Sequence, residues 1–475
     1  MISNNTKIIA TIGPSCNNPE LINKMIKKGM NVARLNMAHA LNNKEVIELV
    51  DIIRKESQNV GKHVSILMDI AGPKIRINLS QNKSELKIVK NSIYSLGYSK
   101  ENQIQVNMDL NFKKVNNSKS LVKIDDGKII FKVLSLSKNI LSLRALNSGI
   151  ITPNKGINFP GIELNIPSIT KKDKNHIKLG LKLGVDWFAL SFVRSKKDYN
   201  TFIDIYKKNQ YIPIIAKIEK PEAVDNLEQI IKSFDGILIA RGDLGVEMSL
   251  AKLPVIQKKI IEKCRIEHKP VILATQILES MINSSIPTRA EVNDVANAVY
   301  EQVDAVMLSG ETAIGKYPKE TVSIMKEIIL DVENDEDAYK SIVDKKNNVN
   351  LRFAIGNAVK TISENLNIDA IVVMTESGSS SRIVSHFRPR TNIFSMSPHI
   401  NICNRMSLFW GVISIHTKKF KSTDQMLIHS EKILLNKKYI KKGQTFVMTA
   451  GVPVGITGST NMLKIQQVGK EKNEI

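Results

Sequence analysis

Several short segments concentrate the residue types that handle phosphate and divalent metal. They are Arg34-Leu35-Asn36, Asp69, Lys217-Ile218-Glu219, Arg241-Gly242-Asp243, Thr275-Gln276 and Ser309-Gly310-Glu311, and each closes an apolar run. Any one of them is weak, because a lone Asp after an apolar run is more often a helix cap or a turn former. Taken together they say more. The carboxylates Glu219 and Asp243, with Lys217 two residues before the first, describe an anion site built around a divalent metal. Lys217 and Glu219 share a strand face because side chains alternate with period two. Arg241 and Glu311 read as structural, the first bracing a loop and the second capping or pairing inside the fold.

The elements that must position these residues are legible as β-rich runs: Lys7–Gly13, Asn31–Asn36, His63–Ile70, Val185–Val193, Pro213–Glu219, Gly236–Gly242, Pro270–Gln276 and Asp304–Gly310. Several are apolar nearly throughout, as parallel strands buried on both faces should be. Stretches with helical spacing separate them, including Asn18–Lys28, Lys174–Gly184 and Arg289–Val303. In the last, Val292, Val295, Ala296, Val299 and Tyr300 fall on one face. Such a count of strands with intervening helices predicts an α/β fold, a (β/α)₈ barrel with working residues at the C-terminal strand ends. An open doubly wound sheet is the alternative.

After the third strand, roughly eighty residues intervene before the next barrel helix, too many for a simple loop. Short alternating strands with turn residues, such as Ser120–Lys123, Asp125-Asp126-Gly127 and Lys128–Val133, mark an inserted small β-barrel domain that could close over the barrel mouth. The expected organisation is barrel over 1–70, insert over 71–154, barrel again over 155–335 and a C-terminal α/β domain over 345–475, with a polar linker at Glu333–Asn350. Strands of the last domain are expected at Asp369–Thr375, Asn392–Met396, Val412–His416 and Thr445–Thr449.

The bulk properties narrow the class. Hydrophobic and charged fractions of 42% and 24% are those of a soluble globular protein. No apolar run is long enough to span a bilayer, and the N-terminus does not read as a signal peptide. Cys16, Cys264 and Cys403 lie far apart with no metal or redox spacing. These features suit the cytoplasm. The net charge of +22 would suit nucleic acid, but the lysines are scattered and aromatics are only 5%, too few for stacking platforms. Compositional drift toward Lys, Asn and Ile accounts for it better, with some attraction of phosphorylated substrates as a by-product.

The segments TKIIATIGPS, MNVARLN, GPKIR, NKGINFPG, SFVR, AKIEKPEAVDN, ARGDLGVE, KPVILATQILESM, PTRAEVNDVANA and DAVMLSGETAIGKYP resemble the pyruvate kinase family in order and spacing, across barrel, insert and C-terminal domain. The segments ATQ-x-LESM and LSGETA-x-GKYP are highly specific. The resemblance implies phosphoryl transfer between phosphoenolpyruvate and ADP or ATP. It implies Mg²⁺ or Mn²⁺ on Glu219 and Asp243, charge neutralisation of the migrating group by Lys217 and Arg34, and substrate carboxylate binding by the N–H groups of Gly242 and Asp243. Thr275 would help deliver a proton to the enolate carbon through a water, and Asn36, His39, Arg76 and Lys155 would face the nucleotide. A homotetramer is also implied. His39 reads equally as a packed histidine at a helix start.

Departures from the family pattern concern a monovalent cation. Asn36 and Asp69 match the usual K⁺ ligands, but Ala38 stands at the serine position and Ile70 at the threonine position, while Ala40 replaces a glycine and Lys74 replaces the Glu of K⁺-dependent members. A fixed ammonium can supply the charge of K⁺, so the combination resembles the K⁺-independent branch. In the C-terminal domain, Thr375, Ser377, Gly378, Ser379, Ser380 and Ser381 form a hydroxyl-rich turn before a helix, matching a loop that in relatives binds a phosphorylated effector. Ordinary N-capping explains it equally well. Gly455–Asn461 would close over such a ligand. Gly310-x-x-x-x-Gly315-Lys316 copies a phosphate loop only superficially, since Tyr317 takes the place of the hydroxyl residue.

Two other function classes compete. A phosphoenolpyruvate or pyruvate aldolase or lyase barrel would use similar metal carboxylates, but without the Lys217 clamp, the insert or the C-terminal domain. A catalytically dead, effector-sensing or RNA-binding paralogue would not keep Arg34, Lys217, Glu219, Asp243 and Thr275 together.

Overall fold

The computed structural model describes residues 4–38, 42–80, 83–110, 112–115, 120–160, 162–164, 166–206, 211–339, 351–453 and 460–469. Eight parallel strands close into a barrel: Lys7–Thr11, Met30–Asn36, Ser65–Ile70, Trp187–Leu190, Ile214–Ile218, Gly236–Ala240, Val271–Ala274 and Ala305–Leu308. Each neighbours its successor, and the last pairs with the first. All the barrel strands expected from the apolar runs are present.

Period two splits every strand between two cores. Ile8, Ala10, Ala33, Ile66, Met68, Ile70, Leu190, Ala216 and Ile218 pack outward against the helices. Ile9, Val32, Leu67, Ala189 and Ile215 fill the barrel interior, continuous with Met406, Phe409 and Val412 of the C-terminal domain beneath it. Two residues beyond that inward row come Thr11, Arg34, Asp69, Ser191 and Lys217, at the C-terminal mouth. The polar site is therefore the topmost layer of the barrel's own filling.

The helices are well capped. Capping boxes pair Asn42 with Glu45, Thr170 with Asp173 and Thr288 with Glu291, each cap contributing about 1 kcal/mol. Helix Arg289–Tyr300 buries Val295, Ala298 and Val299, whereas Tyr300 is 40% exposed and donates its hydroxyl to Asp335. The expected face thus turns toward Ala298 and away from Tyr300. Glu333, placed in the linker by its polar context, ends helix Pro318–Glu333 and accepts from the N–H groups of Asn5 and Thr6 at 2.8 and 2.6 Å. It ties the barrel's end to its beginning.

Between barrel strands three and four lies a seven-stranded sheet, with two further strand pairs beside it. The ends of the sheet, Ile77–Leu79 and Ile157–Asn158, are drawn together by an Arg76–Gly156 bridge and by Ile77 N–H donating to Lys155 O at 2.9 Å. The turn at Asp125, Asp126 and Gly127 has positive φ throughout, as a tight hairpin requires. The insert reaches the barrel at the short helix Arg241–Glu247, where Lys123 donates to Val246 O and Asn158 to Glu247.

The C-terminal domain is a five-stranded sheet in the order Val412–His416, Ile393–Ser397, Ala370–Met374, Thr445–Gly451 and Thr460–Gln467. The last strand is antiparallel and was not expected, since its Asn, Lys and Gln residues mask the alternation of an edge strand. Trp187 joins the two domains, donating to Arg405 O at 3.1 Å and meeting the Phe409 ring edge-on at 6.0 Å. Among the described residues no helix is long and apolar enough to cross a membrane.

Candidate active site

Arg34, Asp69, Lys217 and Glu219 form one buried charge network at the barrel mouth. Arg34 sits beside Asp69 across adjacent strands, its Nε and a terminal nitrogen 2.8 and 2.7 Å from Asp69 Oδ2. Its other terminal nitrogen donates to Thr11 Oγ1 at 2.9 Å, and Thr11 passes the bond on to Leu308 O. Lys217 Nζ is 2.9 Å from Glu219 Oε1, 3.3 Å from Asp69 Oδ2 and 2.8 Å from Ser191 Oγ. Glu219 Oε2 accepts from the N–H of Phe192 at 2.8 Å.

Burial is the largest single influence on the ionisation here, and the charged partners oppose it. For Asp69 burial pushes the carboxyl up, but Lys217 and Arg34 outweigh it and hold it below the usual carboxylate range. Burial lowers Lys217, yet Asp69 and Glu219 more than compensate and raise it. Glu219 goes the other way: burial and the nearby Asp243 push it up against the pull of Lys217. Two carboxylates that repel each other, one with an unmet charge, make a natural seat for a cation.

Asp243 is in the first turn of helix Arg241–Glu247, and no ion pair or side-chain hydrogen bond among the described residues engages its carboxylate. Arg241 anchors that helix, forming a bidentate pair with Asp294 at 2.7 and 2.6 Å. It also donates to the carbonyls of Thr275 and Gln276 at 3.0 and 3.1 Å, which agrees with a bracing role. The braced turn is strained, since Thr275 and Gln276 both take left-handed backbone with φ of 68° and 54°. Thr275 Oγ1 donates to Ala274 O at 2.6 Å and accepts from Gly242 N–H at 2.8 Å. Glu311 is likewise structural, accepting from the N–H groups of Ser309 and Leu278.

A cleft of about 810 Å³ opens over this network, lined among others by Arg34, Asn36, Ala38, Lys74, Arg76, Lys217, Glu219, Asp243 and Thr275. Against the insert, a second cleft of about 570 Å³ adjoins it and shares Lys74, Phe192 and Asp243. Arg76 donates to Asn154 O at 2.7 Å, and Asn36 Oδ1 accepts from Ala38 N–H. Lys155 lines neither cleft and is paired with Asp125 at 2.9 Å. His39 lies outside the described residues. Ile70 corrects an expectation: it is fully buried against the helices, on the opposite strand face from Asp69, so a hydroxyl there would not point into the site.

Sequence reasoning gave no role to Ser191 or Thr11. Both lie on the inward-facing rows, two residues beyond Ala189 and Ile9, and that period was the available signal.

Comparison with known proteins agrees with this geometry. The family model "Pyruvate kinase, barrel domain" matches residues 3–322, and "Pyruvate kinase, alpha/beta domain" matches 354–466. The chain belongs to the pyruvate kinase family. Curated pyruvate kinases from Staphylococcus saprophyticus and Sporosarcina psychrophila are 39% and 40% identical to it. Each alignment covers 98% of this chain and 81% or 80% of the relative. A crystal structure of a pyruvate kinase from Cryptosporidium parvum superposes with a TM-score of 0.91 at 31% identity, over 98% of this chain and 96% of that one. The protein is accordingly an enzyme, a phosphotransferase of the pyruvate kinase family with the fold of that family. Glu219 and Asp243 suit the Mg²⁺ that the family uses, because both offer hard oxygen donors and a bound cation would relieve both the burial of Glu219 and its repulsion by Asp243.

Proposed function

We propose that the chain transfers the phosphoryl group of phosphoenolpyruvate to ADP, giving pyruvate and ATP, the last step of glycolysis. The carrying observation is the buried Arg34–Asp69–Lys217–Glu219 network, which sets two fixed cations beside a carboxylate pair under one cleft. Arg34 and Lys217 meet the phosphoryl oxygens, where a loose transition state spreads its charge. The P–O bond to the enol oxygen breaks, a new one forms to the terminal phosphate of ADP, and the electron pair returns to the enolate. Bound by Glu219 and Asp243, Mg²⁺ or Mn²⁺ would neutralise substrate carboxylate and phosphoryl oxygens. Thr275 holds the water that protonates the enolate carbon, since its own hydroxyl hydrogen is engaged by Ala274 O. Gly242 N–H, now on Thr275, and Asp243 N–H at the helix start receive the substrate carboxylate. Asn36, Arg76, His39 and Lys155 serve the nucleotide, Lys155 by leaving Asp125. A coupled assay for pyruvate from phosphoenolpyruvate and ADP tests the reading directly: turnover that depends on Mg²⁺ supports it, and none in any divalent metal refutes it.

K⁺ is not required in this reading. Both oxygens of Asp69 are already occupied, by Arg34, Lys217 and Ser191. Lys74 lines the same cleft, with no carboxylate among the described residues at ion-pair distance. A K⁺ held nearby would meet like charge at a few ångströms, a repulsion of about 1–4 kcal/mol. Ala38 and Lys74 now carry this argument, because Ile70 faces away. Full activity is expected in Na⁺-only or tetramethylammonium buffer, and Lys74→Glu should lower it there and let K⁺ restore part of it. A wild-type rate that climbs many-fold with K⁺ at constant ionic strength would refute this.

Regulation would act at the C-terminal loop. Gly378 N–H donates to Thr375 Oγ1 at 2.9 Å, and helix Ser379–His386 starts without a side-chain cap. Ser377, Ser379 and Ser380 are accessible, whereas Ser381 is fully buried against Ser395 and cannot join a phosphate nest as it stands. Residues 455–459 of the closing segment lie outside the described residues. Replacing Ser379 and Ser380 with Ala should abolish activation by sugar phosphates or nucleoside monophosphates at unchanged basal rate. If wild type responds to no such compound, the loop is a helix cap only. A homotetramer without nucleic-acid or membrane partners completes the reading, placed in the cytoplasm, a compartment that three buried, unpaired cysteines suit.

A further inference from the structure

Ser191 and Phe192 leave the end of barrel strand four and touch both working residues of strand five. Ser191 is 4% exposed; its Oγ lies 2.8 Å from Lys217 Nζ and 3.3 Å from Asp69 Oδ1. The next peptide donates Phe192 N–H to Glu219 Oε2 at 2.8 Å, and Phe192 takes left-handed backbone at φ 56° to do so. A non-glycine residue adopts that conformation at a cost of about 1–2 kcal/mol, so the surrounding structure enforces it.

An ammonium has three hydrogens and no acceptor. All three directions of Lys217 are taken, by Glu219, Asp69 and Ser191. To meet a phosphoryl oxygen, one must be released. Exchanging Glu219 for the phosphoryl trades one anion for another, while Asp69 and Ser191 remain as a two-point mount at the ends of strands three and four. Without the Ser191 hydroxyl, only carboxylates would hold the ammonium, and its free hydrogen would follow them and not the substrate.

We infer that Ser191 is a positioning residue that aims Lys217 at the migrating phosphoryl group. This rests on the phosphoryl-transfer reading above. Ser191→Ala should lower kcat about 10- to 100-fold, the worth of one hydrogen bond to a charged group. The KM for phosphoenolpyruvate should stay within about threefold, because substrate binding draws mainly on groups that remain. Affinity for Mn²⁺, read by electron paramagnetic resonance without substrate, should not change, and Ser191→Thr should recover most of the rate. Should the threonine methyl collide with Gly72, whose own added Cβ would lie 3.5 Å from Ser191 Cβ, the alanine variant decides alone. A kcat within threefold of wild type overturns the inference, as does a kcat loss accompanied by loss of Mn²⁺ affinity, which would mean a collapsed site. A wild type that forms no pyruvate overturns the phosphoryl-transfer reading instead.

Discussion

Lys217→Met is expected to lower kcat by on the order of 10³-fold or more, with a far smaller effect on the KM for phosphoenolpyruvate. The ammonium is buried and raised in pKa by two carboxylates, so it remains charged across the working pH range and needs no reorganisation when the phosphoryl group separates. Its value is greatest in the transition state, where negative charge moves onto the phosphoryl oxygens. Methionine keeps much of the volume and removes the charge. Glu219 then loses its ion-pair partner while Asp69 keeps Arg34, so the damage centres on the metal carboxylate and spares the Arg34 side of the network. Proton exchange at the methyl group of pyruvate does not move a phosphoryl group and should survive better. Rapid-quench measurement of phosphoryl transfer beside tritium exchange in pyruvate separates the two. Equal and small losses in both would remove Lys217 from the role assigned to it.

Much of the site was legible because it depends on one rule, side-chain alternation along a strand. That rule put Lys217 with Glu219, and the structure places their charged groups 2.9 Å apart. Applied to strand three, the same rule would have turned Ile70 away from Asp69, yet matching by motif position treated the two as neighbours facing one site. Ser191 was inside a matched segment but received no role, because its partners come from Lys217 and Asp69, 26 and 122 residues away. A period tells which face a residue takes; it does not tell which residue of another strand will stand opposite. Register does that, as when Asn36 is placed beside Asp69. Polar context misled at Glu333, whose carboxylate is engaged by the two backbone N–H groups that donate to it, and at Thr460–Gln467, where an edge strand can be polar on both faces. Tyr300 fell on the apolar face by spacing but sits at its rim, because its hydroxyl is drawn to Asp335.

Asp243→Asn should raise the Mg²⁺ concentration needed for half-maximal activity by at least about 100-fold, since outer-shell changes alone cost up to that much. Turnover at ordinary Mg²⁺ should fall correspondingly. The fold should not suffer, for three reasons that can be read from the contacts. Asparagine is nearly isosteric, and the Asp243 carboxylate holds no ion pair or side-chain hydrogen bond among the described residues. The helix that carries it is pinned at one end by Arg241 on Asp294, and at the other by Lys123 on Val246 O and Asn158 on Glu247. Removing Asp243 also relieves the repulsion that pushes Glu219 up, so the folded state loses an unfavourable interaction. The thermal midpoint should therefore hold or rise slightly while metal affinity collapses, a separation that a folding defect cannot produce. Titrating Mn²⁺ by electron paramagnetic resonance alongside a melting curve measures both. Normal turnover at ordinary Mg²⁺ would dismiss Asp243 as a metal ligand. A melting point that falls together with the affinity would instead make the carboxylate part of the scaffold, leaving Glu219 to hold the cation without it.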